Sequence, residues 1–348
     1  RAALAELESA CATVRSFTAP RTPIRKIRDV VLAAINATPY LVQSGRERRM
    51  QAAVDDILDR WRPDVVQAEL LPAAPYLVRP RGFKIPTVYS AHNVESRIVR
   101  GPENGLAGRL RAGRMGRVEA RIARRADAVV TVSGHEAKLF RALGAQVCRV
   151  PNAIDPGSYR FRLPSERVGQ VLLFVGHLGY RPNVDAAVTL VRAVLPEVRR
   201  ELPQVECVIA GAEPMRVVRA LAGGGVHVVA NPLDIDDLWS RATALVCPLR
   251  WGAGSRVKIL EAAASGVPVV ATRFSVEGLE LEEGTDFLAG EEPSELAASV
   301  ISLMREVAAA DSLALRARKG VERNHSWAVM QPRMTELYES LVDHRRKR

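Results

Sequence analysis

The segment from residue 244 to residue 272 constrains the fold of this chain more than any other part of its sequence. An apolar run at 244–248 predicts a β-strand, and a turn of small residues follows at 252–255. Residues 256–266 predict a helix, and the apolar run at 267–272 predicts a second strand. A strand, a turn, a helix and a strand in this order are typical of a parallel βαβ unit.

The turn at 252–255 places small residues at the start of the predicted helix. Gly254 and Ser255 let a ligand approach the backbone, and the N–H groups of the first helical turn lack partners within the helix. Arg256 and Lys258 add two cations at the positive end of the helix dipole, where acidic residues are normally favoured. A bound diphosphate would offset these charges. A solvated arginine beside an ordinary glycine-rich turn is the alternative.

Glu261 follows Lys258 by three residues in the same predicted helix. Its carboxylate could accept hydrogen bonds from a vicinal diol such as a ribose. The alternative is a surface glutamate paired with Lys258. Under the first interpretation, the segment as a whole predicts a site for a nucleotide diphosphate.

Short apolar runs alternate with helical patterns along most of the chain. Residues 152–164 interrupt the alternation with proline, glycine and serine, which predicts an interdomain linker. A chain of 348 residues is long enough for two domains. We therefore predict an α/β fold with two Rossmann-like parallel-sheet domains that face each other across a cleft. Ligands of such sheets bind at the carboxyl ends of the strands.

The composition excludes several functional classes. Cys11, Cys148, Cys207 and Cys247 fit neither a metal-ligand spacing nor a disulfide framework, which predicts a reducing, cytoplasmic location and no metal site. No apolar run approaches the roughly 18–20 residues of a membrane-spanning helix. No secretory signal peptide is visible, although the sequence opens on Arg1.

The formal net charge is +11, and only six of the 50 basic residues are lysines. Nine arginines lie between Arg97 and Arg125, mostly in one predicted helix. A basic helix face can dock on anionic lipid headgroups, which would place the protein peripherally on the inner face of the membrane. A solvated helix face is the alternative. No aromatic residues interleave with the arginines, so we expect no nucleic-acid partner.

Two further loops place polar side chains after predicted strands. His92 follows the strand predicted at 86–91 and could hydrogen-bond a substrate or transfer a proton. Gly176 and His177 begin a second glycine-bearing turn that could face a phosphate. A structural hydrogen bond is the alternative role for His92. Glu69, after the strand predicted at 64–68, is a weaker candidate.

These motifs together resemble the GT-B glycosyltransferases, specifically glycosyltransferase family 4. The resemblance runs from about Arg46 to Leu341 and is most specific in the block 254–272 and in the Pro-Asn-x-Ile-Asp stretch at 151–155. Supporting matches are Arg-Pro-Asp-Val-Val at 62–66, Ala-His-Asn-Val-Glu at 91–95, Ala-Asp-Ala-Val-Val-Thr-Val-Ser at 126–133 and Phe-Val-Gly at 174–176.

The resemblance implies sugar transfer from a UDP- or GDP-linked donor, with retention of anomeric configuration, without a metal or other cofactor, in the interdomain cleft. Glu261 matches the second glutamate of the family's Glu-x7-Glu motif, which is expected on the donor ribose. Arg256 and Lys258 match cations that neutralise the leaving diphosphate. His92 matches a histidine of the N-terminal domain near the sugar and the acceptor.

The resemblance also implies a domain organisation. It gives an acceptor domain at 1–155, a donor domain with the Gly176 turn at 156–325, and a final helix at 326–348 that crosses back to the first domain. Two departures stand out. Ala253 occupies the position of the motif's first glutamate, which contacts the donor sugar. The family's opening strand, glycine-rich loop and helix are also missing, since residues 2–20 contain no glycine. We therefore expect an incomplete N-terminal domain.

Three functions stay open. The leading one is a retaining glycosyltransferase of hexosyltransferase type, acting on an unknown glycolipid, polysaccharide or small-molecule acceptor. Ala253 and the missing opening favour instead a non-catalytic sugar-nucleotide-binding or scaffold protein. A nucleotide-sugar 2-epimerase-like isomerase would need further acid/base carboxylates, for which only Glu69 and Glu95 are candidates.

Overall fold

The computed structural model describes residues 7–17, 22–77, 85–100, 105–252 and 256–346. By its internal contacts the chain divides into two compact units. Unit 1 comprises Arg1–Thr131, His135–Arg149 and Glu336–Arg348, and unit 2 comprises Val132–Gly134 and Val150–Thr335. Each unit contains one parallel β-sheet. The α/β fold with two parallel-sheet domains, predicted from the alternation of apolar runs and helical patterns, is therefore confirmed.

The sheet of unit 1 has the strand order β1-β2-β3-β4 over the residues that the structure describes. Its strands are β1 (Val66–Glu69), β2 (Thr87–Ala91), β3 (Ala128–Thr131) and β4 (Val147–Arg149). Between residue 22 and β4, the described helices are α1 (Pro23–Ile35), α2 (Tyr40–Ser44), α3 (Arg48–Trp61), α4 (Leu70–Ala73), α5 (Glu95–Arg100), α6 (Gly105–Arg125) and α7 (Gly134–Ala142). The two inner strands are buried along nearly their whole length because helices cover both faces of a parallel sheet.

Helix α1 turns its charged face inward and its aliphatic face outward. Arg25 forms ion pairs with Asp29 at 3.5 Å and with Glu47 at 2.8 Å. Asp29 is only 2% exposed, whereas Ile24 is 81% exposed and Ile27 is 65% exposed. Ion pairs therefore set the orientation of this helix, and its aliphatic side chains contribute little to the core.

Among the residues that the structure describes, the sheet of unit 2 has six strands in the order β10-β9-β8-β5-β6-β7. The strands are β5 (Val171–Val175), β6 (Glu206–Gly211), β7 (Val226–Ala230), β8 (Ala244–Cys247), β9 (Val269–Ala271) and β10 (Leu288–Ala289). The helices are α8 (Arg181–Thr189), α9 (Leu195–Glu201), α10 (Arg216–Arg219), α11 (Asp236–Arg241), α12 (Val257–Ala264), α13 (Arg273–Val276), α14 (Pro293–Arg305), α15 (Val307–His325) and α16 (Trp327–Arg346). The central strands β8 and β9 are fully buried.

The helical pattern at 184–199 contains an irregularity that periodicity did not indicate. Helices α8 and α9 are joined by one π-helical turn at Leu190–Val194. Pro196 lies in the first turn of α9 and has no N–H to donate, so the regular hydrogen-bond ladder cannot run through it. The wider turn keeps Leu190 and Val194 buried in the core while the ladder changes register.

The stretch predicted as a linker is held against the last helices of unit 2. Ile154 and Ser326 form an isolated β-bridge. His325 is fully buried, and its Nε2 accepts a hydrogen bond from the backbone N–H of Glu280 at 2.9 Å. Its Nδ1 can therefore donate to the carbonyl of Asn152, which lies 2.9 Å away. Through these two hydrogen bonds, the buried imidazole holds the start of the predicted linker against the rest of unit 2.

The last helix, α16, contains the boundary between the two units. It includes Pro332, and the division by contacts falls between Thr335 and Glu336. The helix therefore begins among residues of unit 2 and ends among residues of unit 1. None of the described helices has the length and apolarity needed to cross a lipid bilayer.

Candidate functional site

Gly176, directly after β5, and Gly211, the last residue of β6, lie very close to each other. A Cβ atom on Gly211 would lie 1.7 Å from the carbonyl oxygen of Gly176, and Gly211 has a φ of +154°. A Cβ atom on Gly176 would lie 2.9 Å from Cγ of Asn183 and 2.9 Å from Nζ of Lys258. Neither position accepts a side chain without displacement of its neighbours. The glycines therefore let the strand ends and the lysine approach one another closely.

Lys258 lies in the first turn of α12 and points at the Gly176 turn. Its Nζ donates to Oδ1 of Asn183 at 3.0 Å and lies 4.7 Å from the centre of the Phe174 ring. Burial lowers the pKa of Lys258, and the charge of Arg256 lowers it further. Because its hydrogen-bond acceptor is a neutral amide, an incoming anion would find an ammonium charge that this contact does not neutralise.

Arg256 is the residue at the N-terminal cap of α12. Its guanidinium lies 4.8 Å from the centre of the Phe274 ring. The first turn of α12 contains no acidic residue. The positive end of the helix dipole therefore coincides with Arg256 and Lys258, an arrangement suited to an anion.

Glu261 lies one turn further along α12. Tyr159, within the stretch predicted as a linker, donates a hydrogen bond from its hydroxyl to Oε1 of Glu261 at 3.2 Å. Burial raises the pKa of Glu261, while the hydrogen bond from Tyr159 and the charge of Lys258 act in the opposite direction. Burial also raises the pKa of Tyr159, and the neighbouring Glu261 carboxylate adds to this shift. Tyr159 thus holds one carboxylate oxygen while the carboxylate keeps further acceptor capacity for a diol.

His177 orders the turn that Gly176 begins. Its Nδ1 accepts a hydrogen bond from the N–H of Gly179 at 3.2 Å, and its Nε2 lies 3.6 Å from Oε2 of Glu213. Its backbone carbonyl accepts from Nδ2 of Asn183 at 3.0 Å. Asn183 therefore bridges the turn and Lys258 through its two amide atoms.

The small-residue turn before α12 is described only in part. Gly254 and Ser255, the two predicted donor-binding residues, lie outside the described residues, as does Ala253. Gly252 has a φ of +117°, and a Cβ atom there would lie 2.7 Å from Cγ of Pro182. Pro182 is in the first turn of α8, which follows the Gly176 turn. The two glycine-bearing turns are therefore neighbours.

His92 lies in unit 1, directly after β2. Its Nε2 is 2.7 Å from Oε2 of Glu69, the last residue of β1. The hydrogen bond with Glu69 raises the pKa of His92, although burial opposes this. For Glu69, burial favours a higher pKa, but hydrogen bonds from His92, Ser90 and Gln67 outweigh it and lower the pKa. The two side chains form an ion pair whenever the imidazole is protonated.

A buried glutamate supports the loop that carries His92. Glu119 of α6 is only 1% exposed. Its two carboxylate oxygens accept hydrogen bonds from the N–H groups of Glu95 at 2.6 Å and Ser96 at 3.2 Å. These N–H groups lack partners at the start of α5, so Glu119 fixes that helix end. Burial raises the pKa of Glu119.

The predicted site residues thus fall into two groups. The structure brings Gly176, His177, Arg256, Lys258 and Glu261 to the carboxyl edge of the unit 2 sheet, and it places His92 beside Glu69 in unit 1. Across the described residues, no three His, Cys, Asp or Glu side chains are grouped as metal ligands.

Sequence reasoning missed two residues of the unit 2 group. Asn183 and Tyr159 contact Lys258 and Glu261 across 75 and 102 residues of chain. Asn183 lies in the first turn of α8, directly after the glycine-bearing turn, and this closeness to a predicted site was the signal that could have found it. Tyr159 falls in the aperiodic linker, where the sequence offers no such signal.

The fold and the site can now be compared with known proteins. Residues 1–153 match the family described as Glycosyl transferase 4-like domain, and residues 169–306 match the family described as Glycosyl transferases group 1. The chain is 29% identical over 297 residues to the glycogen synthase of Mycobacterium tuberculosis (strain ATCC 25618 / H37Rv), a match that covers 80% of this chain and 69% of that protein.

Solved structures show the same fold. Sucrose-phosphate synthase from Thermosynechococcus elongatus superimposes with a TM-score of 0.69 at 20% identity, covering 85% of this chain and 78% of that chain. Anabaena HepE in complex with UDP-glucose superimposes with a TM-score of 0.63 at 18% identity, covering 98% of this chain and 89% of that chain. The two family matches follow each other along the chain, one for each of the two parallel sheets. The chain is a glycosyltransferase and belongs to the GT-B glycosyltransferases of the glycosyltransferase family 4 type.

Proposed function

We propose that this protein transfers a hexose from a nucleotide-diphosphate sugar to an acceptor, with retention of anomeric configuration and without a metal ion. The observation that carries the proposal is the contact of Lys258 with Asn183 and the Gly176 turn. It places a partly buried cation at a helix N-terminus and at the carboxyl ends of parallel strands. Both of these features favour a phosphate group.

Arg256 and Lys258 are the proposed partners of the donor diphosphate. As the bond to the sugar breaks, negative charge develops on the leaving diphosphate, and fixed cations stabilise that charge. Burial disfavours the charged form of Lys258 and lowers its pKa. The charge developing on the leaving group would compensate that cost.

Glu261 is the proposed partner of the donor ribose. The hydroxyl of Tyr159 restrains the carboxylate at 3.2 Å, so the carboxylate can accept from a ribose diol with little loss of rotational freedom. Gly254 and Ser255, which precede α12 in the sequence, are the other two proposed donor-binding residues. Gly176 and His177 supply the facing turn.

For the proposed UDP- or GDP-linked donor, one relative supports the UDP-linked alternative. HepE was solved in complex with UDP-glucose, and the other two relatives are a glycogen synthase and a sucrose-phosphate synthase. The proposed absence of a metal rests on the two cations of α12, since they can supply the charge stabilisation that a divalent ion supplies in other transferases.

His92 is the proposed residue on the acceptor side of the reaction. Its ring is within hydrogen-bond distance of Glu69 and remains exposed enough to meet a substrate. Glycolipids, polysaccharides and small molecules are the acceptor classes we consider.

We also propose peripheral contact with an anionic membrane through the region from Arg97 to Arg125. Helix α6 buries Met115 and Ile122, whereas the arginine side chains described on it from residue 109 onward are exposed. Exposed arginines attract anionic headgroups, an effect that falls off within a Debye length. Co-sedimentation with vesicles that contain anionic lipids, at low and high salt, tests this contact. Failure to sediment at low salt would contradict it.

A non-catalytic sugar-nucleotide-binding protein is the second candidate. Ala253 favours it, because a carboxylate that contacts the donor sugar in the resembling family is replaced by a methyl group. Donor binding without transfer to any acceptor would select this candidate.

The test of the leading proposal is a transfer assay. The protein is incubated with UDP- and GDP-linked hexoses and with acceptors of the three classes, in the presence of excess EDTA. We expect nucleotide release that depends on the acceptor, and a product whose anomeric configuration by NMR equals that of the donor. An inverted product, or activity abolished by EDTA and restored by a divalent metal, would contradict the proposal.

A further inference from the structure

We propose that Glu69 is a positioning residue for His92, and that Gln67 and Tyr338 in turn hold Glu69. The inference rests on the proposed role of His92 in transfer and extends it by assigning the residues that fix its ring. All four residues belong to unit 1.

The geometry begins with the pairing of two neighbouring parallel strands. Glu69 at the end of β1 lies opposite Ser90 of β2, and His92 follows two residues after Ser90. Gln67 precedes Glu69 by two residues on the same strand, so both side chains point to the same face of the sheet. The strand register therefore brings the glutamine, the glutamate and the histidine to one place.

The side chains in this place form a continuous chain of contacts. Tyr338 donates from its hydroxyl to Oε1 of Gln67 at 2.8 Å. Nε2 of Gln67 donates to Oε1 of Glu69, and Oε2 of Glu69 lies 2.7 Å from Nε2 of His92. Each amide or carboxylate thus uses one atom toward the preceding residue and one toward the next. The orientation of every group in the chain is determined by its two neighbours.

The contact with Glu69 determines which ring nitrogen of His92 carries a proton and which one is available to a substrate. A carboxylate accepts, so Nε2 of His92 carries a proton, and Nδ1 is the ring nitrogen available to a substrate. Within the described part of the chain, Nδ1 has no hydrogen-bond partner and the ring is 44% exposed. The charged groups that act on the ring are Glu69 from β1 and Glu136 from α7. Both are negative and favour the imidazolium, which would donate from Nδ1 to a substrate oxygen.

A purely stabilising role explains this arrangement poorly. The side chains of His92 and Glu69 are 44% and 53% exposed, and exposed ion pairs contribute little to stability. The order that Gln67 and Tyr338 impose is instead what a group that must meet a substrate in one orientation requires.

Tyr338 adds a connection along the chain. It lies three residues after Thr335, where unit 2 ends within helix α16. The helix that begins in unit 2 therefore carries the first group of the chain of contacts that ends at His92.

The test compares Glu69→Gln and Tyr338→Phe with the wild type and with Glu336→Gln, an exposed glutamate on the same helix. The titration of His92 is followed by NMR, and kcat and KM of transfer are measured across pH. We expect Glu69→Gln to lower the apparent pKa of His92 and to move the alkaline loss of kcat to lower pH. At neutral pH its kcat should fall about tenfold or more. Tyr338→Phe should shift both in the same direction by a smaller amount, and Glu336→Gln should shift neither.

Unchanged titration of His92 in a folded Glu69→Gln protein would overturn the proposal, as would an unchanged pH profile. A fall in kcat without any change in the pH profile would also overturn it, since a merely structural role predicts that result. Binding of UDP and of GDP, measured on the same samples, separates this failure from failure of the proposed function. Wild-type protein that binds no nucleotide contradicts the function, whereas normal binding with an unshifted His92 contradicts the positioning role alone.

Discussion

The two units bury their apolar side chains to different degrees. In unit 2, strands β8 and β9 are buried at every position, and the π-helical turn between α8 and α9 keeps its core residues inside. In unit 1 the inner strands β2 and β3 are likewise buried at every position, but helix α1 exposes Ile24 and Ile35 at 81% and 73%. The residues proposed to take part in the reaction also differ in burial. Lys258 is partly buried within the unit 2 frame, whereas His92 is exposed at the edge of its sheet.

The difference indicates how each unit holds its candidate residues. Unit 2 fixes by packing the helix that carries Lys258 and Glu261, because α12 lies on a continuous apolar core. Unit 1 fixes His92 by a chain of polar contacts. Packing tolerates the loss of one hydrogen bond better than a polar chain does, so substitutions in the two units should have different effects.

The largest effect should come from the core of unit 2. Leu173→Ala in β5 removes a side chain that is 1% exposed and should destabilise the protein by about 2–5 kcal/mol. The matched substitution Ile27→Ala in α1 removes a 65% exposed side chain and should change stability by less than about 0.5 kcal/mol. Urea denaturation of the two variants measures both. Equal losses of stability would show that α1 is buried in solution and would contradict the difference in burial between the two units.

Lys258→Met should reduce transfer more than any other substitution of a proposed donor-binding residue. It keeps the apolar stem but removes the charge proposed to stabilise the leaving diphosphate, so kcat should fall about 100- to 1000-fold. Lys319→Met, at an exposed lysine of α15, is the control and should leave kcat within twofold (about 0.4 kcal/mol). A Lys258→Met protein with normal kcat would contradict the proposed electrostatic role of Lys258.

Tyr159→Phe should have a smaller effect confined to donor affinity. The variant loses the 3.2 Å hydrogen bond to Glu261, and one such bond contributes about 0.5–1.5 kcal/mol. The KM for the donor should rise about two- to tenfold, with kcat nearly unchanged. Tyr40→Phe, at an exposed tyrosine of α2, is the matched control. A loss in kcat equal to that of Lys258→Met would mean that Tyr159 acts on the reacting groups themselves.

The sequence predicted the elements of unit 2 well because its apolar strands and glycine turns are local signals. Residues 244–248 and 267–272 were predicted as strands, and β8 and β9 lie within them. The sequence does not predict the π-helical turn, because the spacing of apolar residues continues through it. Only Pro196 indicates that the hydrogen-bond pattern of the helix changes. The sequence does not predict the requirement for glycine at position 211 either. The carbonyl of Gly176, directly after the adjacent strand, leaves no room there for a Cβ atom.

The candidate site was predictable where one segment carries it. Arg256, Lys258 and Glu261 share a helix, so their spacing alone places them together. Tyr159 and Asn183 reach them through tertiary contacts, which no local pattern encodes. The pairing of Glu69 with His92 could be predicted only in part. Both were noted as polar residues after strands, but only the register of β1 and β2 brings them within 2.7 Å.

The most direct test of the account is nucleotide binding measured by calorimetry in the presence of EDTA. Wild-type protein should bind UDP or GDP with one-to-one stoichiometry, because the proposed diphosphate and ribose contacts all belong to unit 2. Lys258→Met and Glu261→Gln should weaken binding at least tenfold (about 1.4 kcal/mol), whereas His92→Gln in unit 1 should leave it unchanged. Absence of binding to both nucleotides, or full affinity in the Lys258→Met protein, would contradict a donor site at the Gly176 turn and α12.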